Sequence, residues 1–329
     1  MNSSELKCLK GVKMADAFGN LIQNCAEGLA LTASELFAIA RTAPKRYFVW
    51  EIEKRSGKGT RTVCHPAREL KAVQYYFLNH ILTELPVHEA ACAYVHGSSI
   101  KKNASAHAKS RVIMKIDFAD FFGSLLVTDW ARYASEHFPM WSTEDINFSG
   151  RILFWGRGSY EPTCLAIGAP TSPLLSNALM FEIDVYLKRY AQEHDLTYTR
   201  YADDITFSSK NWLDYDSTLG AVRDALSSAK YSSISINESK TVLASNGSTR
   251  RVTGLILTPD NKISLGRDRK RRIAAMAHRA HLNSLAEKDW PILAGLLAFA
   301  ADVEPEFLER LGKKYSPETL LKVMQRQSG

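Results

Sequence analysis

The sequence predicts an α+β fold, on three observations. Short runs rich in β-branched and aromatic residues recur at 46–53, 62–65, 111–118 and 199–209, the side chains that fit a pleated surface. Elsewhere apolar residues return at helical spacing over longer stretches. The two kinds of segment do not alternate strictly, which argues for a mixed sheet with helices rather than a doubly wound parallel one. With 329 residues, 45% of them hydrophobic, the chain has material for one large domain with subdomains.

In chain order, residues 30–45 read as a short helix and 46–53, RYFVWEIE, as a strand. The basic glycine turn 54–61 and the run 62–65 complete a hairpin with a cationic tip. Pro66 then opens a helix whose stripe is Leu70, Val73, Phe77, Ile81 and Leu85, closed by Pro86. Residues 111–118, RVIMKIDF, form an apolar strand carrying Asp117 near its end. An irregular middle rich in Trp and Phe leads to the tight loop Gly168–Pro173. A helix follows with Leu175, Leu179, Ile183 and Leu187 on one face. Next come the strand-forming stretch 199–209 and a helix carrying Leu219, Val222 and Leu226. Short strands are expected at 233–236, 252–257 and 262–265, and the chain turns helical and basic from about residue 266.

Composition narrows the class. The formal charge of +7 leans toward a polyanionic partner, although mild basicity is common without one. Seven Lys/Arg lie between Lys262 and His281 against the single acid Asp268, either a nucleic-acid-binding face or a solvated helix surface. Five cysteines, scattered and without a CxxC pair, fit neither a disulfide framework nor a zinc ribbon and point to a reducing compartment. No signal-type apolar region opens the sequence and no run approaches a membrane span, so a cytoplasmic protein without membrane contact is expected. Walker A, GxGxxG, GxSxG and HExxH patterns are absent, which leaves ATPase, dehydrogenase, hydrolase and zinc-enzyme readings without support.

The stretch TRYADDITFSS at 199–209 sets Asp203 and Asp204 side by side among strand formers. Two readings are open. Asp is common in turns, so the pair can be a polar hairpin tip. Alternatively, Asp117 and the pair converge on neighbouring strands, where three carboxylates are unstable without cations and suit Mg²⁺ or Mn²⁺.

The surroundings carry a resemblance. Tyr201-Ala-Asp-Asp204 resembles the YxDD box of reverse transcriptases. Asp117-Phe-Ala-Asp-Phe-Phe122 resembles their first catalytic motif, and Gly168-Ala-Pro-Thr-Ser-Pro173 with Leu174-Leu-Ser-Asn177 the loop and helix between the two. Asn103-Ala-Ser-Ala-His107 and Val252-Thr-Gly254 look like the NAxxH and VTG elements of the bacterial retron type. The resemblance spans roughly residues 45–257. One departure is Ile167, where the family's loop usually has Gln before the glycine.

The resemblance implies a right-hand polymerase: N-terminal helices and fingers over 1–110, a palm of antiparallel sheet and helices over 111–257 with a fingers-side insertion at about 130–175, and a helical, basic thumb over 258–329. It implies an RNA-directed DNA polymerase with two Mg²⁺ (or Mn²⁺) held by Asp117, Asp203 and Asp204, the Phe118 carbonyl being a further ligand. Lys58 and Arg61 would clamp the dNTP triphosphate, and Phe122 would exclude a 2′-OH. Ala169 and Pro170 would form the floor under the nascent pair, and Lys240 would meet the departing pyrophosphate. For these residues core packing or a solvated surface is the competing role. Asn103 and His107 read as an RNA-contacting pair or as an Asn cap with a satisfied structural His. Arg267, Arg269, Lys270, Arg271 and Arg272 would grip the RNA backbone.

The implied template is a structured noncoding RNA encoded nearby, and the primer is a guanosine 2′-OH within it. The product would be branched msDNA, within an antiphage defence system with an effector protein encoded alongside. The stretch after Gly254 suits a thumb and leaves little room for an RNase H domain. Two alternatives stand beside this. One is a reverse transcriptase of another bacterial group. The other is a scaffold that holds an RNA–DNA hybrid and restrains a toxic effector.

Overall fold

The computed structural model describes residues 21–53, 59–229, 233–245 and 247–325. The first helices are α1 (Leu21–Gly28) and α2 (Ala33–Thr42), the latter opened by a reciprocal capping box between Thr32 and Glu35. Strands β1 (Tyr47–Glu53) and β2 (Thr60–Pro66) pair antiparallel in register from Tyr47↔Pro66 to Glu53↔Thr60. Pro66 therefore ends a strand rather than opening a helix. Helix α3 (Arg68–Tyr76) begins two residues later and widens into a π turn at Phe77–Ile81. Its predicted stripe Leu70, Val73, Phe77, Ile81 and Leu85 is buried throughout.

Helix α4 (Ile100–His107) precedes β3 (Val112–Ala119) and the short turn α5 (Phe121–Ser124). The stretch read as irregular is in fact two helices, α6 (Val127–His137) and α7 (Thr143–Leu153). Their buried faces mix aromatic Trp130, Tyr133 and Phe148 with Ala134, Ile152 and Leu153, and a Ser142–Asp145 capping box opens α7. The helix expected after Pro173 is two, α8 (Ser172–Leu179) and α9 (Phe181–Glu193), separated at Met180; all four predicted apolar positions are buried.

Strands β4 (Thr197–Tyr201) and β5 (Asp204–Ser209), helix α10 (Tyr215–Ser228) and strand β6 (Ser235–Ile236) follow. Strand β7 (Val242–Ser245) was not anticipated. Residues 252–257 are not one strand but the joined ends of β8 (Arg250–Val252) and β9 (Leu255–Leu257). Thr253 and Gly254 turn between them with φ of 45° and 82°, and consecutive positive φ values suit the twist of a two-residue hairpin. Strand β10 (Ile263–Ser264) pairs with β9, and helices α11 (Arg267–His281), α12 (Trp290–Val303), α13 (Pro305–Tyr315) and α14 (Pro317–Gln325) complete the chain.

Two compact units result. One comprises the residues up to His88, Phe118–Tyr186 and Arg223–Ile236. It holds the β1–β2 hairpin, helices α1–α3 and α5–α8, and the pairing of Phe118 and Ala119 with Ile236 and Ser235. The other comprises Glu89–Asp117, Leu187–Val222 and the residues from Asn237 onward. Its sheet runs β4–β5–β3–β7, all antiparallel, and a second sheet runs β10–β9–β8. Helices α11–α14 enclose a core in which Val252, Leu257, Ile273, Leu293 and Leu297 are fully or almost fully buried. Among the described residues no helix is long and apolar enough to cross a membrane.

Candidate active site

Strands β4 and β5 form a hairpin in which Tyr201 pairs with Asp204, so Ala202 and Asp203 are its two loop residues. Ala202 has φ of 57°, a left-handed conformation that costs an L-residue on the order of 1–2 kcal/mol. The buried Arg200 guanidinium donates from Nη1 to the Ala202 carbonyl at 3.1 Å. In the neighbouring ladder β3 runs antiparallel to β5, and Asp117 lies directly opposite Asp204. Three carboxylates are thereby gathered at one end of the sheet, within one unit.

Two lysines share that end. Lys115, two residues before Asp117 and so on the same strand face, pairs with Asp204 at 2.8 Å. Lys240 pairs with Asp117 Oδ2. It is brought there by the 3₁₀ turn Glu238–Lys240, docked where the Asn237 N–H donates to the Asp117 carbonyl at 2.7 Å. Burial, then the neighbouring charge of Asp117, holds the Asp203 carboxyl above the usual carboxylate range. Burial also raises Asp204, against the opposing pull of Lys115. Its Oδ1 is buried without a hydrogen-bond partner.

This donor set fits a hard divalent cation: carboxylate oxygens only, one of them orphaned, in a site that resists its own negative charge. As they stand, no three His, Cys, Asp or Glu side chains among the described residues are grouped tightly enough to hold an ion, and lysines occupy two of the carboxylates.

The other predicted nucleotide-binding residues, where described, lie in the first unit, apart from Lys240. Lys58 lies outside the described residues. Arg61 is exposed on β2 opposite Ile52. Phe122 is half-buried and meets Phe121 edge-on at 5.4 Å, and Phe121 stacks on Phe118 at 5.9 Å. Ala169 is buried against Cys64 and Ala166, beside the half-buried Pro170. Gly168, at φ 115°, passes so close to β2 that a Cβ there would sit 2.9 Å from the Cys64 carbonyl oxygen. Ile167, which replaces the usual Gln, meets the same strand through its main chain, accepting from the Cys64 N–H at 2.7 Å.

Asn103 and His107 require a correction. Both are buried inside the second unit, so neither offers a surface to RNA. The cap of α4 is Ser99, whose hydroxyl accepts from the Lys102 N–H at 3.1 Å, and not Asn103. His107 bridges the β4–β5 hairpin instead. Its Nδ1 lies 2.7 Å from Ser208 Oγ on β5, and its Nε2 lies 2.8 Å from Thr199 Oγ1 on β4. Burial pushes its pKa down to about 3. Ser110 joins the same cluster through Ser208, and the buried Arg250 donates to the Ser110 carbonyl. Thr253 ties the VTG turn to the start of α4 by donating to the Ile100 carbonyl at 3.1 Å. The NAxxH element thus braces the hairpin that carries the aspartates through His107, and the VTG turn is tied to the helix that carries His107.

The basic segment divides. Arg267, Arg271 and Arg272 are exposed on α11. Lys270 instead pairs with Glu304 at 2.5 Å, and Arg269 lies over the Phe299 ring at 5.1 Å. Both are half-buried and already engaged within their own unit. The sequence reading passed over Lys115, Arg200, Arg250 and Glu304. For Lys115 the period-2 spacing from Asp117 was a usable signal.

An antiparallel sheet with carboxylates gathered at a strand end is compatible with a nucleotidyl-transferring polymerase, and the comparisons give that class. The family model described as reverse transcriptase (RNA-dependent DNA polymerase) matches residues 52–261. The retron Ec83 reverse transcriptase of Escherichia coli is 33% identical over 86% of this chain and 91% of its own. The Ec73 enzyme is 35% identical over 82% and 87%, and the Ec86 enzyme 30% identical over 92% and 93%. The chain belongs to the reverse transcriptase family, in its retron branch, and is an RNA-directed DNA polymerase with the right-hand fold.

Proposed function

We propose that Asp117, Asp203 and Asp204 carry the polymerase chemistry, with Asp117 and Asp203 the principal cation ligands and Asp204 beside them. The observation that carries this reading is the register of Asp117 against Asp204, with Asp203 next to it at the hairpin tip. When bound there, two Mg²⁺ (or Mn²⁺) ions supply activation of the primer hydroxyl and neutralisation of the leaving pyrophosphate. The Phe118 main-chain carbonyl, next along β3, is a further ligand.

The chain's own groups do the rest. Lys240, already beside Asp117, lends charge or a proton to the departing pyrophosphate. Lys115 holds Asp204 in place and opposes the burial that raises its carboxyl. Arg61, with Lys58, binds the triphosphate, since a guanidinium matches phosphate oxygens in pairs. Phe122 closes the sugar pocket to a 2′-OH, and Ala169 and Pro170 support the nascent pair. In domain terms, residues 1–110 are N-terminal helices and fingers, 111–257 the palm and 258–329 the thumb. The exposed Arg267, Arg271 and Arg272 hold the RNA backbone.

The template is a structured noncoding RNA encoded nearby, primed from a guanosine 2′-OH to give branched msDNA, and the system serves antiphage defence with a neighbouring effector. Primer extension tests the chemical core. Asp203→Asn and Asp117→Asn are expected to abolish cDNA synthesis while RNA binding survives. Synthesis that persists in either variant sinks the assignment. Sequencing the nucleic acid that copurifies with the protein tests the template and the branched product.

A further inference from the structure

Arg200 is fully buried, although a charged side chain is costly to bury unless it is bonded. It pairs with Ile205 in the β4–β5 ladder, whereas Tyr201 pairs with Asp204. Its side chain therefore lies on the sheet face opposite the one that carries Asp204. Its main chain is fixed on both sides: the N–H donates to the Ala90 carbonyl at 2.8 Å, and the carbonyl accepts from the Cys92 N–H at 2.7 Å. From this anchored position Nη1 reaches forward to the Ala202 carbonyl at 3.1 Å. Ala202 is the residue held at φ 57°, and Asp203 comes next.

We infer that Arg200 is a positioning residue for the reaction: its guanidinium pins the Ala202 carbonyl, keeps Ala202 left-handed, and so sets where the Asp203 carboxylate lies beside Asp117. The inference rests on the proposed catalytic role of Asp203. An alanine has little intrinsic reason to stay at positive φ, whereas glycine adopts it freely. Loss of the guanidinium lets the turn relax and moves Asp203. A glycine at 202 removes the conformational bias against the working turn and returns part of what was lost.

The test uses the full chain extending oligo(dT) on poly(rA) with dTTP, comparing Arg200→Met with the double variant Arg200→Met/Ala202→Gly. The single variant is expected to lose about tenfold or more in kcat, about 1.4 kcal/mol of barrier per decade, with KM for dTTP held within about twofold. The double variant is expected to recover at least about threefold of that loss, whereas glycine in the wild-type background brings no such gain. Circular dichroism melting establishes that each variant is folded at the assay temperature. If Arg200→Met does not fold, Arg200→Lys with and without Ala202→Gly carries the same comparison. Wild-type kcat in the folded Arg200 variant, or a loss that glycine leaves untouched, overturns the inference and makes Arg200 a packing residue. Asp203→Asn, run alongside, separates the two claims. If it still synthesises DNA, the catalytic reading of the hairpin fails. If it is inactive and the rescue is absent, only the role of Arg200 fails.

Discussion

Asp117 and Asp204 stand directly opposite one another across the β3–β5 ladder, and each is met by its own lysine. Like charges opposed in a sheet are destabilising, so the arrangement has a structural cost that Lys115 and Lys240 partly offset. Asp203, at the loop, has no lysine at ion-pair distance among the described residues, and its carboxyl is raised by burial and by Asp117.

Asp203→Asn is therefore expected to separate activity from stability. DNA synthesis should fall by at least about a hundredfold, while the melting temperature at pH 7 rises. The sign follows from linkage. A carboxyl whose folded pKa is raised contributes stability that is fully present below its unfolded value near 3.9 and is lost as pH rises through the folded value. The advantage of Asn should be present at neutral pH and vanish below about pH 4. Asp204→Asn should gain less, because it strands Lys115. Thermal melts across pH check both, and a Tm of Asp203→Asn lower than wild type at pH 7 contradicts the argument.

Lys240 occupies Asp117, so on the proposed ligand set a divalent cation would have to compete with it. Magnesium should raise the wild-type Tm and EDTA reverse it, since binding to the native state alone stabilises by mass action. Lys240→Met removes the competing cation. Its Mg²⁺-induced Tm shift should exceed that of wild type even as kcat drops, and Asp117→Asn should show almost none. A smaller shift in Lys240→Met than in wild type would show that the lysine does not compete for the site.

What was legible in the sequence was local. The hairpin 46–65, the stripe from Leu70 to Leu85, β3 and the aspartates all declare themselves within a few residues. What was missed depends on long-range partners or on single dihedral angles. Thr253 is β-branched and reads as strand, yet it turns at φ 45° because the β8–β9 hairpin demands it. The helices at 127–153 were hidden by buried faces that mix aromatic and aliphatic residues with the polar Asp129, Asp145 and Ser149. His107 could be read as a ligand or a core histidine. Only the tertiary fold, which brings Thr199 and Ser208 to its two nitrogens, decides between them. Lys270 looked like one more basic residue until Glu304 closed on it from 34 positions away.

The buried His107 makes the fold acid-sensitive. With a folded pKa of about 3 it stays neutral while the unfolded chain takes up a proton below about pH 6.5. Stability from this group is thus complete above that value and falls as pH drops, by up to about 1.4 kcal/mol per pH unit. His107→Gln keeps some hydrogen bonding but cannot be protonated. It should be less stable than wild type at pH 7.5 and lose less between pH 6.5 and 5, as measured by urea melts. A slope equal to that of wild type would remove His107 as the source.

The last expectation separates the basic residues of α11 by what they touch. Arg271 and Arg272 are exposed, whereas Lys270 is held by Glu304, which also accepts from the Leu265 N–H and the Ser264 hydroxyl at 3.0 Å each. Burial would raise Glu304, but these bonds outweigh it and leave its carboxyl below the usual range. Its contribution is present above the unfolded value near 4.3 and is lost as pH falls through the folded one. Glu304→Gln should cost about 2 kcal/mol at pH 7, and the deficit should close in acid. Lys270→Ala should likewise lower Tm while leaving the salt dependence of RNA affinity unchanged. Arg271→Ala and Arg272→Ala should do the reverse, holding Tm and each reducing the log–log salt slope by about one. Filter binding to a structured RNA from 50 to 300 mM salt (roughly the range over which backbone contacts dominate) reads the slope. A drop in slope for Lys270→Ala as large as that for Arg271→Ala would mean that the Glu304 pair opens when RNA binds.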